Sequence, residues 1–178
     1  FFFKLKTAYE ILPSLVGSEM CIRDRFTIHE IGSEPEKWDP QTRETADHSL
    51  PYIFVRALLD GPITVQTFDE ILVRDPEIRP LLKKIKVIAD PDIEALMPDT
   101  MMVRAVIKLG DGTVHEVKNI NPLGHTANPM AAEDIAKKFY AQSIPVIGEE
   151  SSSKVVNAWS ALADVSDLRP LIKMMDIP

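Results

Sequence analysis

The sequence contains a single cysteine, Cys21, so an intrachain disulfide framework is impossible and a reducing compartment is the default. Basic residues are outnumbered, 20 Lys and Arg against 27 Asp and Glu, and the net charge of -7 argues against nucleic acid as a general partner. An acidic chain can still hold a carboxylate substrate through local cations. No apolar run approaches the roughly 20 residues that a membrane span requires. The seven glycines form no phosphate-cradling loop and no GxSxG elbow. No pair of histidines stands with a carboxylate at metal-ligand spacing, and one cysteine cannot hold an iron–sulfur cluster. What is left is an ordinary soluble composition, 45% hydrophobic over 178 residues, enough for one domain with a real core or one small domain plus an appendage.

The first 25 residues, FFFKLKTAYEILPSLVGSEMCIRDR, show no caps and no clean period. As a targeting peptide the stretch fails, because its apolar segment is broken by Pro13 and Gly17 and no small-residue cleavage site follows. It resembles translated sequencing-adapter DNA. KTAYEI is similar to the frame read through a flow-cell primer, and SLVGSEMCIRD to that of a transposase adapter. Leu12-Pro13 sits where a sample index would lie, and Phe1 to Phe3 would be a poly-T run. The expectation is that residues 1–25 stand outside the fold, that the natural chain begins at about Phe26, and that what precedes it has been lost. Residues 26–178 then carry 16 basic against 24 acidic residues, a net of -8.

From Ser49 the pattern turns helical: Leu50, Ile53, Phe54, Ala57 and Leu58 make one apolar stripe, with Ser49 as N-cap, Pro51 in the first turn and Asp60-Gly61-Pro62 as the stop. His48, Tyr52 and Arg56, four apart, are predicted to lie along a second face. TVQTFDEIL reads as a short helix capped by Thr64 or Thr67. Asp75-Pro76 and Asp90-Pro91 read as cap followed by first-turn proline, and Pro80 as a kink or late start. KVIAD is a predicted strand, and MMVRAVIKL, Gly110-Asp111-Gly112 and TVHEVK form a β-hairpin. Asn128 should cap, and Pro129 open, the helix MAAEDIAKKFYAQSI, followed by a last helical region from about Ser151 to Met175. The predicted architecture is α+β, with helices packed on a small antiparallel sheet.

The window Lys37 to Tyr52, KWDPQTRETADHSLPY, concentrates Arg43, Glu44, Asp47, His48 and Tyr52 ahead of the apolar run IFVRALL. A histidine exchanges protons near neutral pH and a tyrosine donates to a leaving oxygen, so His48 and Tyr52 are candidate catalytic groups. Arg43 could fork a carboxylate, and Asp47 could bind substrate or cap a helix. The alternative is that His48 is a structural cap and Tyr52 a half-buried core residue. Gly124-His125, before a helix start, could approach a ligand carboxylate, or be a turn glycine beside a surface histidine.

KWDPQTRETADHSLPY followed by ALLDG resembles the MmgE/PrpD family, the 2-methylcitrate dehydratases and their relatives. The likeness continues through the Asp-Pro helix starts, the hairpin KLGDGT, and GHTANPM, which is similar to the family's GHPxNPM with Thr126 in place of proline. The resemblance implies that residues 26–178 form the smaller C-terminal lid domain, lacking an N-terminal helical domain that carries most of the active site. It implies a metal- and cofactor-independent lyase, cytoplasmic and homodimeric, acting on a tricarboxylate. Dehydration of 2-methylcitrate is the first expectation and cis-aconitate decarboxylation the second. The HSxxY pattern implies Tyr52 as the lid's catalytic residue with His48 beside it; Arg43, Asp47 and His125 stand as substrate-binding candidates from their own chemistry. An isolated lid without activity is the third.

Overall fold

The structure is a computed structural model that describes residues 15–175, with the backbone alone described for 15–23. The chain divides into two compact units, Phe1–Asn121 and Pro122–Pro178.

In the first unit a four-stranded sheet runs in the order β2-β1-β3-β4. Its strands are β1 (Leu15–Arg23), β2 (Ile85–Ala89), β3 (Val103–Leu109) and β4 (Val114–Asn119). β3 and β4 form the expected hairpin: Leu109 N–H donates to Thr113 O at 2.8 Å, and the Asp111 carboxylate accepts from Thr113 N–H at 2.8 Å. Gly112 sits at φ 87°, a conformation that side chains disfavour. β1 pairs antiparallel with β3 but parallel with β2, so the sheet is mixed. The α+β class with helices on a small sheet is as the sequence predicts.

The expectation that residues 1–25 stand outside the fold is corrected from Leu15 onward. An extended backbone between two strands satisfies its N–H and C=O groups by ladder pairing whatever its side chains are, and residues 15–23 do so. Asp24 then caps helix α1 (Arg25–Gly32), accepting from Thr27 N–H at 2.8 Å while only 2% exposed. The index and poly-T positions lie outside the described residues.

The remaining short helices of this unit wrap one longer one. They are α2 (Arg43–Asp47), α3 (Leu50–Asp60), α4 (Glu70–Val73), α5 (Arg79–Leu82) and α6 (Pro91–Glu94). The caps follow the sequence reading. Ser49 accepts from Tyr52 N–H at 3.1 Å, Asp75 from Glu77 N–H at 2.9 Å, and Asp90 from Asp92 N–H at 2.9 Å. Gly61 ends α3 at φ 85°. Thr64 begins a 3-10 turn, Val65–Phe68, closed by a capping box with Thr67. The core gathers Tyr52, Val55, Val73, Ile78, Leu81, Leu82, Ile85 and Ile107, drawn from α3, the turns behind it and the two strands flanking β1. Each fully buried aliphatic side chain among them contributes about 1.5–3 kcal/mol.

The second unit is a helical hairpin. α7 (Ala132–Ser160) is two helical halves joined at Gly148, whose φ 76° and ψ 167° no helix can include. Ser152, fully buried, donates to Gly148 O at 2.7 Å and accepts from Ser143 Oγ at 2.8 Å, tying the halves across the bend. α8 (Arg169–Lys173) follows, with Leu171 buried. The predicted start at Asn128-Pro129 is corrected. Asn128 N–H donates to His125 O and Asn128 O accepts from Gly124 N–H, both at 2.8 Å, so this residue closes a turn and the helix begins at Ala132.

Candidate functional site

The window Lys37 to Tyr52 folds as a connected set of turns held from behind. A 3-10 turn, Pro35–Trp38, delivers the chain to Asp39-Pro40, and Trp38 Nε1 donates to Gly32 O at 2.9 Å. Ser49, completely buried, caps α3 with its oxygen while its hydroxyl donates to Lys37 O. Arg79 donates to Pro40 O and Val73 O at 2.9 Å each and pairs with Asp39 at 3.0 Å. One serine and one arginine thus fix both ends of the window to the core.

The structure separates the candidate residues that the sequence groups on one face. His48 does not belong to α3. It is the C-cap of α2, where the chain turns before Ser49, and its side chain is 70% exposed. Tyr52 points the other way, fully buried, with its hydroxyl donating to Thr67 O at 2.6 Å. The predicted shared face is therefore corrected: the non-helical φ/ψ at His48 and Ser49 breaks the four-residue spacing that would align the two side chains. Arg43 and Asp47 share α2 with exposed side chains.

Arg56 is the residue whose place the sequence conceals. Its side chain is 3% exposed, and Nη2 donates to Leu72 O and reaches Asp75 Oδ2 at 3.0 Å. Asp60 stands at 3.4 Å from Nη1, and the guanidinium lies 5.8 Å from the Tyr52 ring centroid. Tyr52, Val55 and Arg56 are thus the deep face of α3, while Ile53, Phe54 and Leu58 are the half-buried one. A Tyr and an Arg four apart read as a solvent face because their polar ends dominate. Here the Arg56 stem is buried and its head meets a carbonyl and a carboxylate beyond it. Burial raises the Tyr52 phenol above its ordinary value, opposed by the nearby Arg56 cation.

His48 Nδ1 faces Asp47 Oδ1 and the Glu44 carbonyl, the latter at 3.3 Å. With Nδ1 engaged by two acceptors it carries the proton, leaving Nε2 as the other edge. The Asp47 carboxylate, then the Glu44 carbonyl, raise the pKa of His48. The accessible chemistry of this unit therefore includes a carboxylate-oriented imidazole at the end of the short helix whose first residue is the exposed Arg43. Such a set can move a proton and attract an anion.

His125 lies in the second unit. Its N–H donates to Pro122 O at 3.0 Å, and its Nδ1 accepts from Ala127 N–H at 3.1 Å, inside the turn at Gly124 (φ 98°). That is the turn-glycine arrangement left open by the sequence. The same unit holds an apolar cavity of about 480 Å³ lined by Ile135, Phe139, Val155, Trp159 and Met175. No helix among the described residues is long and apolar enough to cross a membrane.

Residues 25–161 match the family model of the MmgE/PrpD C-terminal domain. The chain is 31% identical over 139 residues to cis-aconitate decarboxylase of Mus musculus, covering 78% of this chain and 28% of that protein. The human cis-aconitate decarboxylase is likewise 31% identical over 137 residues, 75% of this chain and 28% of its own length. The chain thus spans about a quarter to a third of the length of these relatives, which are lyases by name. The chain belongs to the MmgE/PrpD family, through that family's C-terminal domain.

Proposed function

We propose that this domain serves a cofactor-independent lyase that dehydrates 2-methylcitrate or a similar tricarboxylate. The observation that carries the reading is the exposed His48–Asp47 pair at the end of the helix that begins at Arg43, within a chain belonging to this family. In water elimination a base takes the carbon-bound proton, the C–O bond breaks, and the departing hydroxide leaves as water after gaining a proton. His48, oriented by Asp47, is suited to either proton transfer, and Arg43 to a substrate carboxylate. Tyr52, a catalytic proposal from the resemblance, is buried with its hydroxyl donating to Thr67 O and supports this wall from within. His125 remains a substrate-binding proposal from the second unit.

Cis-aconitate decarboxylation is the second reading, favoured by the activity for which the two relatives are named. The domain's working form would include an N-terminal helical domain and a second subunit, in the cytoplasm; these parts rest on the family resemblance. By itself the chain is expected to be inactive, since it spans 28% of its relatives. The test uses a polypeptide of the relatives' length that carries this domain, supplied with 2-methylcitrate and, separately, cis-aconitate. Unsaturated product without carbon dioxide supports dehydration, and carbon dioxide release supports the second reading. His48→Ala should lower turnover at least tenfold, and unchanged turnover would remove His48 from the site. Turnover by this chain alone would overturn the proposal that it is one part of a site.

A further inference from the structure

The sheet presents a mismatch between what belongs to the family and what completes the fold. The family match starts at residue 25, yet β1 (15–23) is an interior strand and joins β2 to the β3–β4 hairpin. Among the described residues β2 has no strand neighbour except β1. Without an occupant between them, β2 would leave the sheet and β3 would expose an edge of unpaired backbone groups. The core needs both strands in place, since Ile85 of β2 is 4% and Ile107 of β3 is 0% exposed.

The present occupant fits irregularly. Its pairing with β2 slips between Glu19 and Ile22, and its pairing with β3 slips between Leu15 and Gly17 and again between Met20 and Ile22. By contrast, β3 and β4, both inside the family match, pair without a break from Val103↔Asn119 to Lys108↔Val114. Ladder hydrogen bonds use backbone groups common to every residue, so an edge accepts a strand of unselected sequence, and bulges mark where its spacing fails. The same stretch is the one whose sequence resembles an adapter.

We infer that β2 and β3 bound a strand-accepting slot, that β1 is a stand-in held there by backbone pairing, and that the fitted occupant is a strand of the family's own polypeptide. That strand lies just before the matched domain and runs parallel to β2 and antiparallel to β3. The relatives have the chain to supply it, because the matched stretch is 28% of their length.

The test reads amide hydrogen exchange of β2 in three variants of the full chain. Met20→Pro puts a residue without an N–H, and with a fixed φ, into the interior of β1 and should lower β2 protection tenfold or more; a smaller loss overturns the placement of β1. A chain with the nine residues of β1 in scrambled order should lose less than tenfold; a tenfold or greater loss overturns the stand-in role, because the sequence then matters. Replacing residues 1–24 by the twenty-four that precede the matched stretch in the mouse cis-aconitate decarboxylase should keep or raise β2 protection. Protection below that of the unaltered chain overturns the assignment of the occupant.

Discussion

The Tyr52 hydroxyl and the Thr67 carbonyl, 2.6 Å apart in the interior, join the central helix α3 to the turn that covers it. Fifteen residues separate the two in sequence. The bond therefore fixes the closure of the segment between Gly61 and Phe68 over the helix. Tyr52→Phe keeps the ring and its packing against Phe68, whose centroid is 6.2 Å away, and orphans the Thr67 carbonyl. Loss of one buried hydrogen bond should cost about 1–2 kcal/mol. A urea titration following β-sheet and helix signals together reads this cost, and an unchanged midpoint would show that the bond adds nothing to stability.

The Arg56–Asp75 pair gives a sharper contrast. Asp75→Asn can keep the oxygen that caps the turn at Pro76, but it replaces the oxygen facing Arg56, a cation 3% exposed, with an NH2 donor, so charge and acceptor are lost together. Leaving that guanidinium buried with a longer contact to Asp60 should cost about 3 kcal/mol. Arg56→Met removes the buried cation and leaves Asp75, whose side chain is 28% exposed, able to meet water. The arginine variant is thus expected to be the milder of the two by urea midpoint, and the double variant less destabilised than the sum. The reverse ranking would contradict the geometry.

These two residues also mark the limit of what the sequence makes legible. Caps at Ser49, Asp75 and Asp90, the stop at Gly61 and the hairpin at Gly110-Asp111-Gly112 are local, so residue type and spacing reveal them. Whether an arginine faces water or a carbonyl sixteen residues later depends on tertiary packing, and Arg56 shows how the polar reading fails. The separation of His48 from Tyr52 turns on the backbone at two residues between helices. Asn128-Pro129 carries a helix-start signal, but the Gly124–Asn128 turn uses it first. Gly148 hides within a stretch without caps, and the parallel pairing of β1 with β2 involves a segment no pattern assigns to the domain.

His48 offers a pH signature. Its imidazole is stabilised in the charged form by Asp47 first and by the Glu44 carbonyl second, so it should titrate above the ordinary value of about 6.5. A folded value above the unfolded one means a stabilising contribution fully present below about pH 6.5 and lost as pH rises through the folded value. Proton NMR of the imidazole reads the midpoint directly. Asp47→Asn should return it toward the ordinary value, and a wild-type midpoint at or below that value would show that the Asp47 contact does not persist in solution.

Gly148 bends α7 back on itself, and the test of that bend is a single methyl group. At φ 76° and ψ 167° the backbone occupies a region that is essentially restricted to glycine. An added Cβ would meet nothing within 4 Å, so the cost of Gly148→Ala is conformational and not steric crowding by neighbours. It should destabilise the second unit by about 1–3 kcal/mol. Ser152→Ala attacks the same bend from the other side. It removes the hydroxyl that links Ser143 to Gly148 O, leaves the backbone angles permitted, and should cost about 1 kcal/mol. Exchange protection of the amides from Glu149 to Ser160 compares the two. If alanine at 148 left that protection intact, the bend would not require glycine, and the hairpin would owe its shape to packing around Val155 alone.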